Sequence, residues 1–244
     1  MRRDRVVLRI PIRHRRAAGL AVAAFGGCIA LAACGAVQLG SAAIVGGQRI
    51  TSSTLATEVS DLNQAYQAGK HKGVRLAFPA AQMPQQVLAW LVRFQVRDEL
   101  ARRAGITVSQ GDIQRAIAAI RASASSSGGA NLTDLAVENG LPPSLINPDL
   151  GRYQAIGNAY IDRLDGGTQP SSATAQQALS QQFNHAQCLA AKNLDIKVNP
   201  QYGRLDYNLL DIVPAANRLS APEPAASPSP SASASAKPQF TPPC

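Results

Sequence analysis

Apolar residues change their spacing several times along this chain, and each change marks an element. In "AAIVGGQRI", residues 42–50, Ile44, Val45 and Ile50 flank a Gly-Gly pair, which predicts a short strand or tight β-turn. From Thr51 the period lengthens. Leu55, Val59, Leu62 and Tyr66 fall on one face of a helix, with hydroxyls over residues 51–54 as N-caps and Gly69 as a stop. "MPQQVLAWLVRFQVRDELARRAG", residues 83–105, carries apolar side chains around most of its circumference, from Val87 and Leu88 to Val96 and Leu100. A helix apolar nearly all round is buried among others, so this is the expected central helix, with Trp90 in the core. Pro84 suits its first turn, Arg102 and Arg103 its last, and Gly105 its end.

Four more helical patterns follow. Ser109 and Asp112 have capping-box spacing ahead of Ile113, Ile117 and Ile120. "NLTDLAVENGLP" is a short helix with Leu132, Leu135 and Ala136 inward, closed by Gly140. "LINPDLGRYQAIGNAYIDRLDGG" places Leu150, Tyr153, Ile156, Tyr160, Ile161 and Leu164 at helical spacing, and Leu179, Phe183, Ala186 and Leu189 do the same in the next segment. Finally "LDIKVNPQYGRLDYNLLDIV" alternates Ile196 and Val198 around Lys197, a strand signal that Asn199-Pro200 turns. The expected fold is mainly α: six or seven helices with one short strand near each end. Two lone strands should pair with each other, because an unpaired edge is costly if buried and adhesive if exposed.

The two ends of the chain follow other rules. The first 16 residues, "MRRDRVVLRIPIRHRR", hold seven arginines and one acid, and residues 17–33 carry no charge. A basic segment followed by an apolar one is the layout of a secretory signal, and the apolar run is marginal as a membrane span. Its end, "LAAC", resembles the lipobox of bacterial lipoproteins, in which the cysteine takes a diacylglyceryl group and becomes the mature N-terminus. The expectation is therefore a signal over 1–33, a lipid anchor at Cys34 with a tether to residue 43, and a folded domain over 44–213. The protein would sit at the extracytoplasmic face of the cell membrane. Beyond Val213 the sequence is rich in Pro, Ala and Ser with few large apolar groups, so residues 214–244 are expected to form a disordered tail.

Removing the signal changes the charge. The whole chain is +9, but the remainder has 17 basic and 14 acidic residues, a net +3. The excess belongs to the signal and does not indicate nucleic-acid binding. Cys188 and Cys244 accompany Cys34 in the mature part. In an oxidising compartment they could form a disulfide that ties the tail to the domain, or stay as two separate thiols. The cysteines make no zinc pattern, so no metal is expected, and "VGGQ" lacks the lysine of a phosphate-binding loop, so no cofactor is expected either. No "GxSxG" marks a nucleophile. Asp98-Glu99 and Asp162-Asp165 read as solvated helix faces, and His71 and His185 lie on separate polar segments.

The order "VGGQRIT", a long apolar helix, "AGITVSQGDIQRAI", "DLAVENGLP" and "LDIKVNPQYGRLD" resembles the N-terminal domain of the SurA and PrsA family of extracytoplasmic foldases. The resemblance spans residues 44–206. It implies a helical domain whose first strand meets its last segment, and a cradle for unfolded, exported polypeptides. Many members insert a parvulin prolyl-isomerase domain where this chain has only "DGGTQPSSAT", residues 165–174. Isomerase activity is therefore not expected. A chaperone needs an apolar cleft, and Leu76, Phe78, Met83 and Tyr153 are the candidate client-binding residues, with core packing as the competing role for each. Two other function classes compete: a non-catalytic lipoprotein that recruits one envelope partner, and an enzyme with a polar pocket built on His71 or His185.

Overall fold

A computed structural model describes residues 40–126, 131–168 and 170–215. The protein is mainly helical, with six α-helices and small antiparallel sheets among the described residues. β1 (Ser41–Val45) and β2 (Gln48–Thr51) form a hairpin. Its two turn residues, Gly46 and Gly47, have φ of 56° and 83°, the left-handed pair that lets a two-residue turn follow the strands' twist. Thr51 then caps α1 (Ser52–Lys70), its hydroxyl accepting from the Thr54 amide at 3.0 Å.

α2 (Met83–Ala104) is the centre of the fold. From residue 83 to residue 97 none of its side chains is exposed. Val87, Leu88, Val92 and Val96 are fully buried. The helix packs against α1, α5 (Gly151–Leu164), α6 (Ala173–Asn193), β1 and β5 (Asp211–Val213). It ends at Gly105, which takes the left-handed conformation with φ of 60°. α3 (Gln110–Ser126) opens with the expected capping box: the Asp112 carboxylate accepts from the Ser109 amide at 2.7 Å, and the Ser109 hydroxyl accepts from the Asp112 amide at 3.2 Å. α4 (Leu132–Glu138) lies between α1 and α3.

The two ends of the domain meet. β3 (Lys197–Val198) pairs antiparallel with β1, Ala43 opposite Val198 and Ile44 opposite Lys197, giving the sheet order β2-β1-β3. Asn199 extends the join with its backbone amide on Ala42 O at 2.9 Å and its side-chain amide on Ser41 O at 3.0 Å. β1 is thus not a lone strand, since it is paired on both sides. β4 (Arg204–Asp206) and β5 make a further hairpin that the sequence pattern did not announce. Its strands are too short to alternate visibly. Asp206 holds the turn by accepting from the amides of Asn208 and Leu209 at 2.9 and 3.2 Å.

Three details differ from the sequence expectation. Trp90 is half-buried rather than in the core, because its indole N–H must find an acceptor and donates to Asn139 O at 3.0 Å at the protein's edge. Leu132 and Leu135 are also half-buried; Ala136 and Val137 are the buried residues of α4. The helical pattern beginning near Leu145 becomes α-helix only at Gly151, after a 3₁₀ turn (Pro143–Leu145) and a π turn (Ile146–Leu150).

The core also contains a charge. Arg97 is 4% exposed. Its guanidinium lies 3.7 Å from the centre of the Tyr153 ring and 4.7 Å from that of Phe183, and it donates to Gln187 Oε1 at 2.9 Å. Burial lowers the Arg97 pKa from its ordinary value, and Tyr153 opposes the shift. Gly157 leaves the space this side chain occupies: a Cβ there would lie 2.3 Å from Arg97 Nη1. Gly157→Ala therefore has to displace a guanidinium sandwiched between two rings. The expected cost is about 1–3 kcal/mol, read as a lower urea midpoint at unchanged m-value.

Candidate functional site

The short α4 leaves part of α3 uncovered. Between them opens an apolar groove of ≈ 420 Å³, lined by Ile120 and Ala124 of α3, Leu132, Leu135 and Ala136 of α4, and Leu141, Leu150 and Trp90. Ser123, Ala124 and Ala136 are small, so they line the space rather than fill it. Trp90 is a fixed wall. Besides its bond to Asn139 O, it meets Phe94 at 5.8 Å and Tyr153 edge-on at 6.1 Å, and Arg93 lies over its ring at 5.0 Å. Anchored on both polar and aromatic sides, the ring offers a rigid apolar surface at low entropic cost.

A second apolar groove of ≈ 530 Å³ lies between α1 and the start of α2, with Leu55, Ala56, Val59, Met83, Pro84 and Tyr202 among its walls. Of the candidate client-binding residues, only Met83 lines it, and Met83 is itself 6% exposed. Leu76 and Phe78 are half-buried and pack against the main core. Tyr153 is half-buried, lies beneath Arg97 and borders a small polar hollow with Arg93, Asn184 and Gln187. The four are not gathered in one cleft. The Trp90 groove was missed because the helical period of α4 reads as inward, although its leucines end at a rim. The unmatched polar edge of a tryptophan was the available signal.

Several of the acidic groups have structural roles. Asp98 accepts from Arg152 at 2.7 Å. Glu99 accepts from Arg102 at 2.8 and 2.7 Å and from Arg103 at 2.8 Å. These bonds, with Arg102 foremost, hold the Glu99 pKa down at about 2. The adjacent acids are therefore each paired with arginine. Asp165 accepts from the Gly167 amide at 2.8 Å in the turn after α5. His71 and His185 are exposed on separate elements. Among the described residues no group of three or more His, Cys, Asp or Glu could hold a metal ion, and no helix is long and apolar enough to cross a membrane. α5 ends at Leu164 and α6 begins at Ala173. Cys188 is disulfide-bonded, whereas Cys34 and Cys244 lie outside the described residues, as does the segment read as a tail beyond residue 215.

The family model of the SurA-like N-terminal domain matches residues 14–129, just under half of the chain. The match takes in the β1–β2 hairpin and α1 to α3, and ends before α4. No curated protein and no solved structure matches the chain significantly.

The depressed Glu99 pKa makes stability pH-dependent. Its ordinary value is 4.5 and its folded value about 2, so its contribution is complete above pH 4.5 and disappears as pH falls toward 2. Urea melts between pH 6 and pH 2 are expected to show wild type losing more stability over that window than Glu99→Gln.

Proposed function

We propose that this chain is an extracytoplasmic lipoprotein, anchored through lipid on Cys34, that holds apolar segments of unfolded, exported polypeptides in the Trp90 groove. The single observation that carries the reading is the groove itself. Its walls are apolar and partly exposed, Trp90 is pinned in place, and the leucines of α4 line a short helix at the surface. Exposed apolar surface of this kind marks sites of protein interaction. The match to a SurA-like N-terminal domain supports chaperone-like binding as the kind of interaction. Binding of this sort needs no nucleophile, metal or proton transfer, and isomerase chemistry is not part of the proposal.

The anchor rests on the sequence. A basic segment, an uncharged run and "LAAC" stand in order, and the hairpin begins at Ser41, seven residues after Cys34. Two acyl chains would hold the protein stably, where one gives only reversible binding. The body would then work close to where exported chains emerge. Cys34→Ser is expected to abolish incorporation of radiolabelled palmitate into the full-length protein; undiminished labelling would contradict the anchor.

The binding role is checked by light scattering. Residues 35–244 are added at increasing ratio to a chemically unfolded client as it is diluted from denaturant. Wild type is expected to suppress scattering in a dose-dependent way. The pair Leu132→Glu and Leu135→Glu should lose most of that effect while keeping wild-type circular dichroism, because both positions are only half-buried. If wild type does not suppress aggregation at several-fold excess, and crosslinking in cells captures one defined envelope partner, the protein is instead a recruiting lipoprotein.

A further inference from the structure

We propose that the small polar hollow between α2, α5, α6 and the β4–β5 turn is a binding site for a carboxylate monoanion with a short carbon chain. The hollow measures ≈ 180 Å³, and its walls include Arg93, Tyr153, Asn184, Gln187, Asn208 and Leu209. No described acidic side chain lines it. Four separate elements thus bring an arginine and three amides to one place.

Charge decides the kind of ligand. Arg93 and Arg97 stand four residues apart on α2 and so share a side of the helix. Arg93 donates through Nε to Leu210 O at 2.9 Å and has Asp211 at 3.6 Å. Arg97 lies behind the hollow, in contact with two of its wall residues, Tyr153 and Gln187. It is 4% exposed, forms an ion pair with no described carboxylate, and its Nε has no partner. The nearby Asp206 accepts from the turn amides of Asn208 and Leu209. One positive charge is left without an anion, which suits a monoanion. Burial lowers the Arg97 pKa, and a negative charge in the hollow beside it would favour the charged form.

The donors are set by the same arginine. Arginine has only donors, so the oxygen of the Gln187 amide must face it, and Oε1 accepts from Arg97 Nη2 at 2.9 Å. The other polar atom of that amide is Nε2, which can only donate. Gln187 is 7% exposed, so this donor is held in place by packing. Asn184 lies one turn earlier on α6, and Asn208 faces it from the β4–β5 turn; both are exposed at the mouth. Size sets the upper limit. The volume equals about six water molecules at ~30 Å³ each, below the roughly 300 Å³ at which drug-sized pockets begin. Acetate, propionate or lactate fits, and a nucleotide does not. Leu209, 67% exposed, gives the short alkyl chain an apolar lip.

The test is ligand-observed saturation-transfer NMR with acetate, on the full-length protein in mild detergent at constant ionic strength. The expected result is transfer to the acetate methyl that saturates with concentration and that equal chloride or sulfate does not remove. No transfer, or removal by either salt, overturns the proposal. Asn184→Asp places a carboxylate at the mouth and should weaken acetate binding about tenfold or more, with unchanged circular dichroism. Asn63→Asp adds the same charge on α1, outside the hollow, and should bind as wild type does. Wild-type affinity in Asn184→Asp, or an equal loss in Asn63→Asp, overturns the site. Competition then separates two sources of the carboxylate. Displacement by trialanine but not by trialanine amide supports a polypeptide C-terminus as the ligand. Displacement by propionate and by neither peptide supports free short-chain acids. Equal displacement by both peptides shows that the carboxylate is not what the hollow reads, and overturns the proposal.

Discussion

From residue 83 to residue 97 no side chain of α2 is exposed, and the rest of the fold answers to that constraint. A helix with no solvent face cannot be covered by one neighbour. It needs packing partners all around, and here they come from both ends of the chain: α1 and β1 from the N-terminal part, α5, α6 and β5 from the C-terminal part. The β1–β3 pairing follows from the same requirement. Once the two halves wrap α2, β3 lies along the side of β1 that β2 leaves open, and pairing satisfies backbone groups that would otherwise be left open. Arg93 ties the last hairpin to this helix by donating to Leu210 O at 2.9 Å, with Asp211 at 3.6 Å.

Burial of α2 carries one exception within it. Arg97 is inside the packed stretch and no described carboxylate meets it. Two aromatic faces and the Gln187 carbonyl take the place of a counter-ion. An arginine can be held this way because its planar, weakly hydrated guanidinium stacks on rings, which an ammonium does not do as well. The arrangement links α2 to α5 and α6 by direction as well as by apolar contact. Its Nε has no partner, so the pocket is shaped for the group without fully satisfying it.

The same geometry leaves the groove. α4 is only seven residues long, too short to cover both α3 and the edge of α2. The gap is walled by Trp90 and by leucines that the helical period alone would place inside. Its lining is mostly apolar, whereas the acids at the end of α2 are paired with arginine. Glu99 is pulled down to about 2 by Arg102 and Arg103, so it is a fixed anion and not a proton donor near neutral pH.

Much of the architecture was legible because it depends on local rules. The 3.6-residue period placed the helices, Thr51 and the Ser109–Asp112 box set two of their starts, and Gly105 set an end, all within a turn of the chain. The strand signals at both ends were also local, and their pairing followed from the cost of open edges. What lies outside the described residues, the signal, Cys34 and the Pro-rich segment, is read from sequence alone. The tertiary structure decided what depends on distance between elements. Strands as short as β4 and β5 have no periodicity to read. Trp90 left the core because Asn139, remote in sequence, offers its N–H an acceptor. Leu76, Phe78, Met83 and Tyr153 were grouped by residue type, but packing sent them to different places. Hydrophobic pattern tells a residue which face to take; only the assembled neighbours determine whether that face is covered, and a groove is a place where they stop short.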